Sequence, residues 1–465
     1  MPPPGGRDAD PARRAALDVI RAVDVDGAYS NLLLPRVLRE RRLDTRDAAF
    51  ATELCYGTLR WQGVLDVVIA EAGGRDIASL DPPVRAVLRL GAYQLLHMRT
   101  PAHAAVHATV ELARVACGPK PVGLVNAVLR KVSAADWPAW VRRLAPDDEV
   151  GRLAFAHGYP RWVAAAIAEA LDHGAAADEL ADALAFDRPV THLVARPGRI
   201  SRESLLAQAG PGATVGRWSP YAVHMAGGDP AGLPAVRSGL AGVQDEGSQL
   251  VALAATRAAE RGSVGPDRAT RWLDMCAGPG GKAVLLEALL PTEGFLLASD
   301  AHAHRAALVR GSLGPSTPVI VADGRRPAWQ PAAFDLVLLD APCTGLGALR
   351  RRPEVRWRRT ETDLARLTAL QRELLTAAVA STRPGGVVAY VTCSPHPQET
   401  RAIVAAAHAA MPHVEQIDAR ELLPGVPDLG PGPDVQLWPH RHGTDAMYLS
   451  AVRVGRSHGQ GESRS

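Results

Sequence analysis

From Trp272 onward, short apolar runs alternate with helical stretches, and a glycine-rich turn joins the first of each. Trp272-Leu273-Asp274-Met275 reads as a strand, Ala283 to Leu290 as a helix and Phe295 to Ser299 as the next strand. Val319 to Ala322, Phe334 to Leu339 and Val387 to Val391 add further short runs, and Met447 to Val454 supplies a last one. Strands separated by helices cannot close as hairpins. They have to cross over, so the pattern predicts a mainly parallel sheet with helices on its faces.

A chain of 465 residues is too long for one ordinary core, and two or three domains are expected. Over residues 11–133 apolar positions recur at helical spacing, as in Leu17, Ile20 and Val23, and Pro82-Pro83 and Pro101 stand where helices start. This part reads as an all-α bundle. Residues 134–240 read as a connector and a small mixed α+β subdomain, with Thr191 to Ala195 and Tyr221 to Met225 as strands. Residues 241–455 form the α/β unit, and 456–465 are expected to be a flexible tail.

Apolar residues make up 47% and charged residues 22% of the chain. No run of roughly 20 apolar residues is present, and the start lacks the pattern of a secretory signal. A cytoplasmic protein without a membrane partner is expected. The net charge of +3 cannot by itself steer the chain to nucleic acid, so local arginine clusters matter more. The five cysteines, Cys55, Cys117, Cys276, Cys343 and Cys393, show no zinc-type spacing, and a reducing compartment disfavours disulfides.

The turn Asp274-Met275-Cys276-Ala277-Gly278-Pro279-Gly280-Gly281-Lys282 lets backbone approach a ligand closely, and a nucleotide-like cofactor should lie over it. Its spacing is not Gly-x-Gly-x-x-Gly, and Cys276 and Ala283 break the Walker pattern, which weakens NAD and ATP readings. Asp300, just after the next strand, can accept from ribose hydroxyls; Asp323, after a third, could sit on the adenine side. S-adenosyl-L-methionine suits this set, because methyl transfer needs no metal. The candidate cofactor residues are Cys276, Ala277, Gly278, Pro279, Gly280, Gly281, Lys282, Asp300, Arg305, Asp323 and Asp340.

Two cysteines follow strand-like runs downstream of this loop, Cys343 in Asp340-Ala341-Pro342-Cys343 and Cys393 in Thr392-Cys393-Ser394. Methylases acting on exocyclic amines often carry Asn/Asp-Pro-Pro-aromatic at the first of these positions. A cysteine there favours attack at a ring carbon: a thiolate adding to cytosine C6 makes C5 electron-rich, and the bond is reversible. The residues alone leave open which thiol does which task.

Through Asp274 to Lys282, Asp340 to Cys343 and Thr392 to Ser394, the chain strongly resembles the RsmB/Nop2/Sun family of RNA 5-methylcytosine methyltransferases. The helical half resembles the NusB-like RNA-binding domain fused to bacterial members, so the likeness spans about residues 11 to 455. It implies a Rossmann-like class I methyltransferase domain, Cys393 as nucleophile, Cys343 assisting release, and Asp340 near cytosine N3. The implied substrate is small-subunit (16S) ribosomal RNA; a monomer with no DNA partner is expected. Transfer RNA, or an RNA-binding assembly role without catalysis, are the alternatives. Thr191-His192-Leu193-Val194 and Gly443 to Tyr448 depart from the family pattern. The basic segment Arg350 to Arg359, with Trp357 inside it, is expected to bind RNA phosphates and stack or pack.

Overall fold

The computed structural model describes residues 10–171, 177–185, 189–261 and 269–455; the expected tail at 456–465 lies outside them. The chain forms two compact units. One comprises residues 1–187 together with Leu349–Thr360, the other Arg188–Ala348 and Glu361–Ser465.

In the first unit the helices Pro11–Val25, Thr45–Gly73, Pro82–His97, Ala102–Cys117 and Val122–Val132 pack around Ile20, Leu54, Leu65, Leu88 and Leu129, all buried. Their starts are set locally. Asp10 and Asp44 each accept a hydrogen bond from the amide three residues on, at 2.8 Å, as helix-capping carboxylates do. The helices Trp137–Leu144, Glu149–His157 and Arg161–Ala170, grouped with the mixed segment in the sequence reading, belong to this helical unit.

The basic segment is the main departure from expectation. Residues Leu349–Thr360 are part of the helical unit, and Arg356 and Arg358 are turned inward. Arg356 is fully buried, with its guanidinium carbon 3.5 Å from the centre of the Tyr159 ring and Nη1 donating to the Gly158 carbonyl at 2.9 Å. Arg358 Nη2 donates to the carbonyls of Val23 and Ala28 at 2.6 and 2.7 Å. Trp357 donates to the Arg60 carbonyl at 2.9 Å, and its ring covers Gly63, where any Cβ would come within 2.1 Å. Buried Glu354 accepts from the Ser30 hydroxyl at 2.6 Å. Arg356 and Arg358 satisfy carbonyls at and beyond helix ends, where positive charge is favoured. An arginine run in sequence does not reveal which acceptors it will meet.

The second unit holds two sheets. Strands β1 (Thr191–Ala195), β2 (Thr214–Val215), β3 (Ala222–Met225) and β4 (Ala241–Val243) form an antiparallel sheet in the order β2-β3-β1-β4. The larger sheet contains β5 (Arg271–Asp274), β6 (Phe295–Asp300), β7 (Val319–Val321), β8 (Phe334–Asp340), β9 (Thr382–Thr392), β10 (Val414–Ile417), β11 (Val435–Gln436) and β12 (Tyr448–Val454). Its order is β10-β12-β9-β8-β5-β6-β7, with β11 paired to β12. Strands β7, β6, β5, β8 and β9 run parallel, and β12 joins β9 antiparallel.

Alternate strand residues face opposite layers. Trp272, Leu336, Leu338, Ala389 and Val391 pack on Leu250, Val251 and Ala254 of the Glu246–Arg261 helix. Leu273, Val337, Leu339 and Val388 pack on Leu374, Leu375 and Ala378 of the Glu361–Ser381 helix. Both faces are covered, as a parallel sheet requires. Strand order reverses direction between β5 and β8, so the carboxyl ends of β5, β6, β8 and β9 open on one edge, where α/β folds take ligands. No helix among the described residues is long and apolar enough to cross a membrane.

Candidate active site

The glycine turn leaves the end of β5 and enters the helix Gly281–Leu289. It is held from below by Ala277, whose amide donates to the Ser299 carbonyl at 2.8 Å. Asp300, 4% exposed at the end of β6, accepts from the Gly278 amide at 3.0 Å and the His302 amide at 2.9 Å. Arg305 lies 3.3 Å from the same carboxylate and also donates to the Gly278 carbonyl. A Cβ on Gly278 would fall 2.5 Å from Asp300 Oδ2 and 2.6 Å from Arg305 Nε, so only glycine fits there. Gly280, at φ +117°, occupies backbone space that side chains avoid.

Five of the expected residues therefore meet: Ala277, Gly278 and Gly280 of the turn with Asp300 and Arg305. Pro279 and Gly281 complete the same turn. Asp323 does not join them through its side chain; the carboxylate pairs with Arg325 at 2.7 Å on the surface, which holds it below its ordinary range. Cys276 is partly buried, and burial together with Asp274, Asp340 and Asp300 pushes its thiol up, so it remains protonated.

Lys282 reaches Asp340 at the end of β8, Nζ to Oδ2, at 2.7 Å. Burial pushes the ammonium down, but the charge and hydrogen bond of Asp340 outweigh that, and the charges of Cys393 and Asp274 add to it; the net shift is upward. Asp274 behind it is fully buried, and burial with the nearby Asp340 raises it to about 8 against the opposing pull of Lys282 and of a backbone hydrogen bond from Cys276. At neutral pH this group carries its proton for most of the time.

The two cysteines of the sequence motifs come together. Strands β8 and β9 are parallel neighbours with Asp340 opposite Val391, so the loops leaving their ends emerge side by side. The Ala341 amide donates to the Val391 carbonyl at 2.8 Å and the Gly347 amide to the Cys393 carbonyl at 2.9 Å. This places Cys343 Sγ 3.4 Å from Cys393 Sγ, within hydrogen-bond range for sulfur. Cys343 is raised well above its ordinary value, first by the bond to Cys393, then by burial and by the charges of Cys393, Glu399 and Asp340.

One participant has no signature in the sequence. Glu399, fully buried, accepts from the Thr344 amide at 2.8 Å, from the Thr344 hydroxyl and from Gln371 Nε2 at 3.0 Å. Gln371 also donates to the Pro342 carbonyl at 2.8 Å, and Thr344 and Ser394 share a hydroxyl contact at 3.1 Å. The carboxylate thus joins the loop of Cys343 to the loop of Cys393. Its only sequence signal is an acid shortly after Thr392-Cys393-Ser394, in a stretch with no periodicity.

Relatives bear on this geometry. A methyltransferase-named protein of Mycobacterium tuberculosis is 53% identical over 97% of this chain and 98% of its own length. Ribosomal RNA small subunit methyltransferase B of Pseudomonas putida is 34% identical over 87% of this chain and 91% of its own length. The chain belongs to the RsmB/F RNA methyltransferase family. Residues 263–453 match the family described as 16S rRNA methyltransferase RsmB/F, and residues 10–134 match the NusB family. The solved structure of PH0851 shares the fold, with a TM-score of 0.79 over 95% of this chain and 98% of that one at 22% identity. In this RsmB/F-family enzyme the glycine turn, Asp340 and both cysteines lie along one edge of the sheet.

Proposed function

We propose that this RsmB/F-family methyltransferase methylates cytosine C5 in 16S ribosomal RNA, with S-adenosyl-L-methionine as donor and a transient bond from Cys393 to cytosine C6. The observation that carries the reading is the 3.4 Å approach of the two thiols beside the Lys282–Asp340 pair. The cofactor, when bound, supplies an electrophilic methyl group. The residues fit it: Gly278 and Gly280 expose backbone, and the Asp300 carboxylate stands at the end of the neighbouring strand, where ribose hydroxyls are held in such folds.

Each side chain then has a task. Cys393 adds through its thiolate to C6, and the Lys282 ammonium favours that anion electrostatically. Asp340 and Lys282 together carry a proton that can be offered to N3 as charge develops on the ring. After methyl transfer a water molecule takes the C5 proton, the C5–H electrons re-form the C5–C6 double bond, and the C6–S bond breaks with its electron pair going to the Cys393 sulfur. Cys343, whose thiol keeps its proton, is placed to hydrogen-bond that departing sulfur. The NusB-family region and the ribosomal relatives support rRNA as the substrate; a cytoplasmic monomer is the working form proposed with it.

The test uses purified protein, labelled S-adenosyl-L-methionine and unmodified small-subunit RNA, with nuclease digestion and mass analysis of nucleosides. 5-Methylcytosine is expected. Cys393→Ala abolishes it, whereas Cys343→Ala leaves enzyme covalently linked to RNA. RNA binding without 5-methylcytosine, or normal release by both variants, refutes the assignment.

A further inference from the structure

The thiol pair has a second chemistry open to it besides attack on a base. Neither Cys343 nor Cys393 is in a disulfide, both are partly exposed, and their sulfurs lie 3.4 Å apart. A disulfide spans about 2.05 Å, so the sulfurs would have to close by about 1.4 Å, the difference between the two distances. The backbones that carry them are already fixed side by side. Asp340 stands opposite Val391 in parallel register, the Ala341 amide donates to the Val391 carbonyl at 2.8 Å, and the Gly347 amide donates to the Cys393 carbonyl at 2.9 Å. Thr344 and Ser394, each one residue further on, share a hydroxyl contact at 3.1 Å. Closing the gap therefore falls to rotation of two short side chains, about 0.7 Å for each sulfur, with no sliding of the strands.

The two sulfurs stand in unlike surroundings. The Lys282 ammonium attracts the charge of Cys393, and a cation beside a thiol favours its thiolate. The bond to Cys393, then burial and the charges of Cys393, Glu399 and Asp340, keep the proton on Cys343. A thiolate with a second thiol close by is the arrangement in which a first oxidised sulfur is captured before it oxidises further.

We propose that Cys343 and Cys393 close into a reversible disulfide when hydrogen peroxide is the oxidant, and that this bond switches methylation off; the second half rests on the function proposed above. The Cys393 thiolate attacks one peroxide oxygen, the O–O bond breaks, and Cys393 becomes a sulfenic acid while the released hydroxide takes a proton from solvent. The Cys343 sulfur then attacks the Cys393 sulfur, the S–O bond breaks, and the leaving hydroxide takes the Cys343 proton. The two thiols give up two electrons, peroxide gains them, and two waters result. Cys393 then has no thiolate to offer cytosine C6. A dithiol restores both thiols through a mixed disulfide. Without Cys343 the sulfenic acid meets a second peroxide and becomes a sulfinic acid, which a dithiol does not reverse.

In the test the full chain, reduced and freed of reductant, is exposed to hydrogen peroxide, quenched with an alkylating agent and digested without reduction for mass spectrometry. Cys343 and Cys393 are expected in one linked peptide pair, lighter than the two reduced peptides together by two hydrogen atoms. Formation of 5-methylcytosine should fall at least tenfold and return with dithiothreitol. In Cys343→Ser the same exposure should place two oxygens on Cys393 that dithiothreitol does not remove. The masses read the thiol chemistry whether or not the chain methylates RNA, so failure of the methylation reading is told apart from failure of this one. Loss of activity without the linked pair, a linked pair with undiminished 5-methylcytosine, or a Cys393 that reaches sulfinic acid as readily in the unaltered chain as in Cys343→Ser overturns the proposal.

Discussion

Replacing Glu399 separates two roles that one buried carboxylate plays between the cysteine loops. Its Oε1 accepts from the Thr344 amide and Gln371 Nε2, and its Oε2 accepts from the Thr344 hydroxyl. In Glu399→Ala a backbone N–H and a side-chain N–H lose a buried acceptor, at about 1–3 kcal/mol each. The Thr344 hydroxyl is less affected, because it can turn to Ser394 Oγ at 3.1 Å. Removing the side chain also leaves a cavity, and the expected cost is about 3–5 kcal/mol. In Glu399→Gln the amide oxygen keeps the two N–H donors, and the new NH2 donates to Thr344, whose hydrogen moves to Ser394. Only the extra strength of charged hydrogen bonds is lost, about 1–2 kcal/mol.

Glu399 acts on one loop of one of the two compact units, so the readout should be local. Hydrogen exchange of amides over residues 341–346, followed by mass spectrometry, reports the opening free energy of this loop. A second readout follows from charge. Glu399 helps hold Cys343 up, so both variants should move the midpoint of Cys343 alkylation to lower pH. Equal exchange in the two variants, an Ala variant within 1 kcal/mol of the unaltered chain (about fivefold in exchange), or an unmoved midpoint refutes the reasoning.

Three further outcomes are expected. Gly278→Ala forces Asp300 and Arg305 away from a Cβ that would lie 2.5–2.6 Å from them, and S-adenosyl-L-methionine affinity measured by calorimetry should fall about 10-fold or more, corresponding to the usual 1–3 kcal/mol of overpacking. Arg356→Ala removes a buried guanidinium and leaves the Gly158 carbonyl without this donor; thermal unfolding of the helical unit should drop by several degrees, and an unchanged Tm with weaker RNA binding would restore the phosphate-contact reading. Asp274 is raised from 3.8 to about 8, so the folded state holds a proton that the unfolded state releases. Its contribution therefore declines from pH about 4 up to about 8, by at most about 1.4 kcal/mol per pH unit, and Asp274→Asn should flatten the Tm profile across that window.

Local pattern was enough for some features and silent on others. The alternating runs after Trp272 mark β5, β6, β7, β8 and β9 to within a residue or two at most ends, because period and length are properties of a short window. Strand β9 is the exception. It starts at Thr382 and passes through Pro384-Gly385-Gly386, residues that ordinarily bound a strand, because the register of Phe334 with Thr382 shifts beside them. Strand order sets Asp323 just after β7, and only the structure shows its carboxylate paired with Arg325, two residues away.

By itself the amino-acid order determined the strand and helix alternation, the glycine turn and the presence of a thiol after each of two strands, since each depends on neighbours in sequence. Only the tertiary structure decided that β8 and β9 lie adjacent and parallel, which sets Cys343 and Cys393 3.4 Å apart although 50 positions separate them. It also decided that Lys282 meets Asp340, that Glu399 links the two loops, and that Arg356 turns inward. A buried charge settles wherever distant chain offers compensating donors, acceptors or countercharge, and those partners are chosen by packing rather than by spacing along the chain.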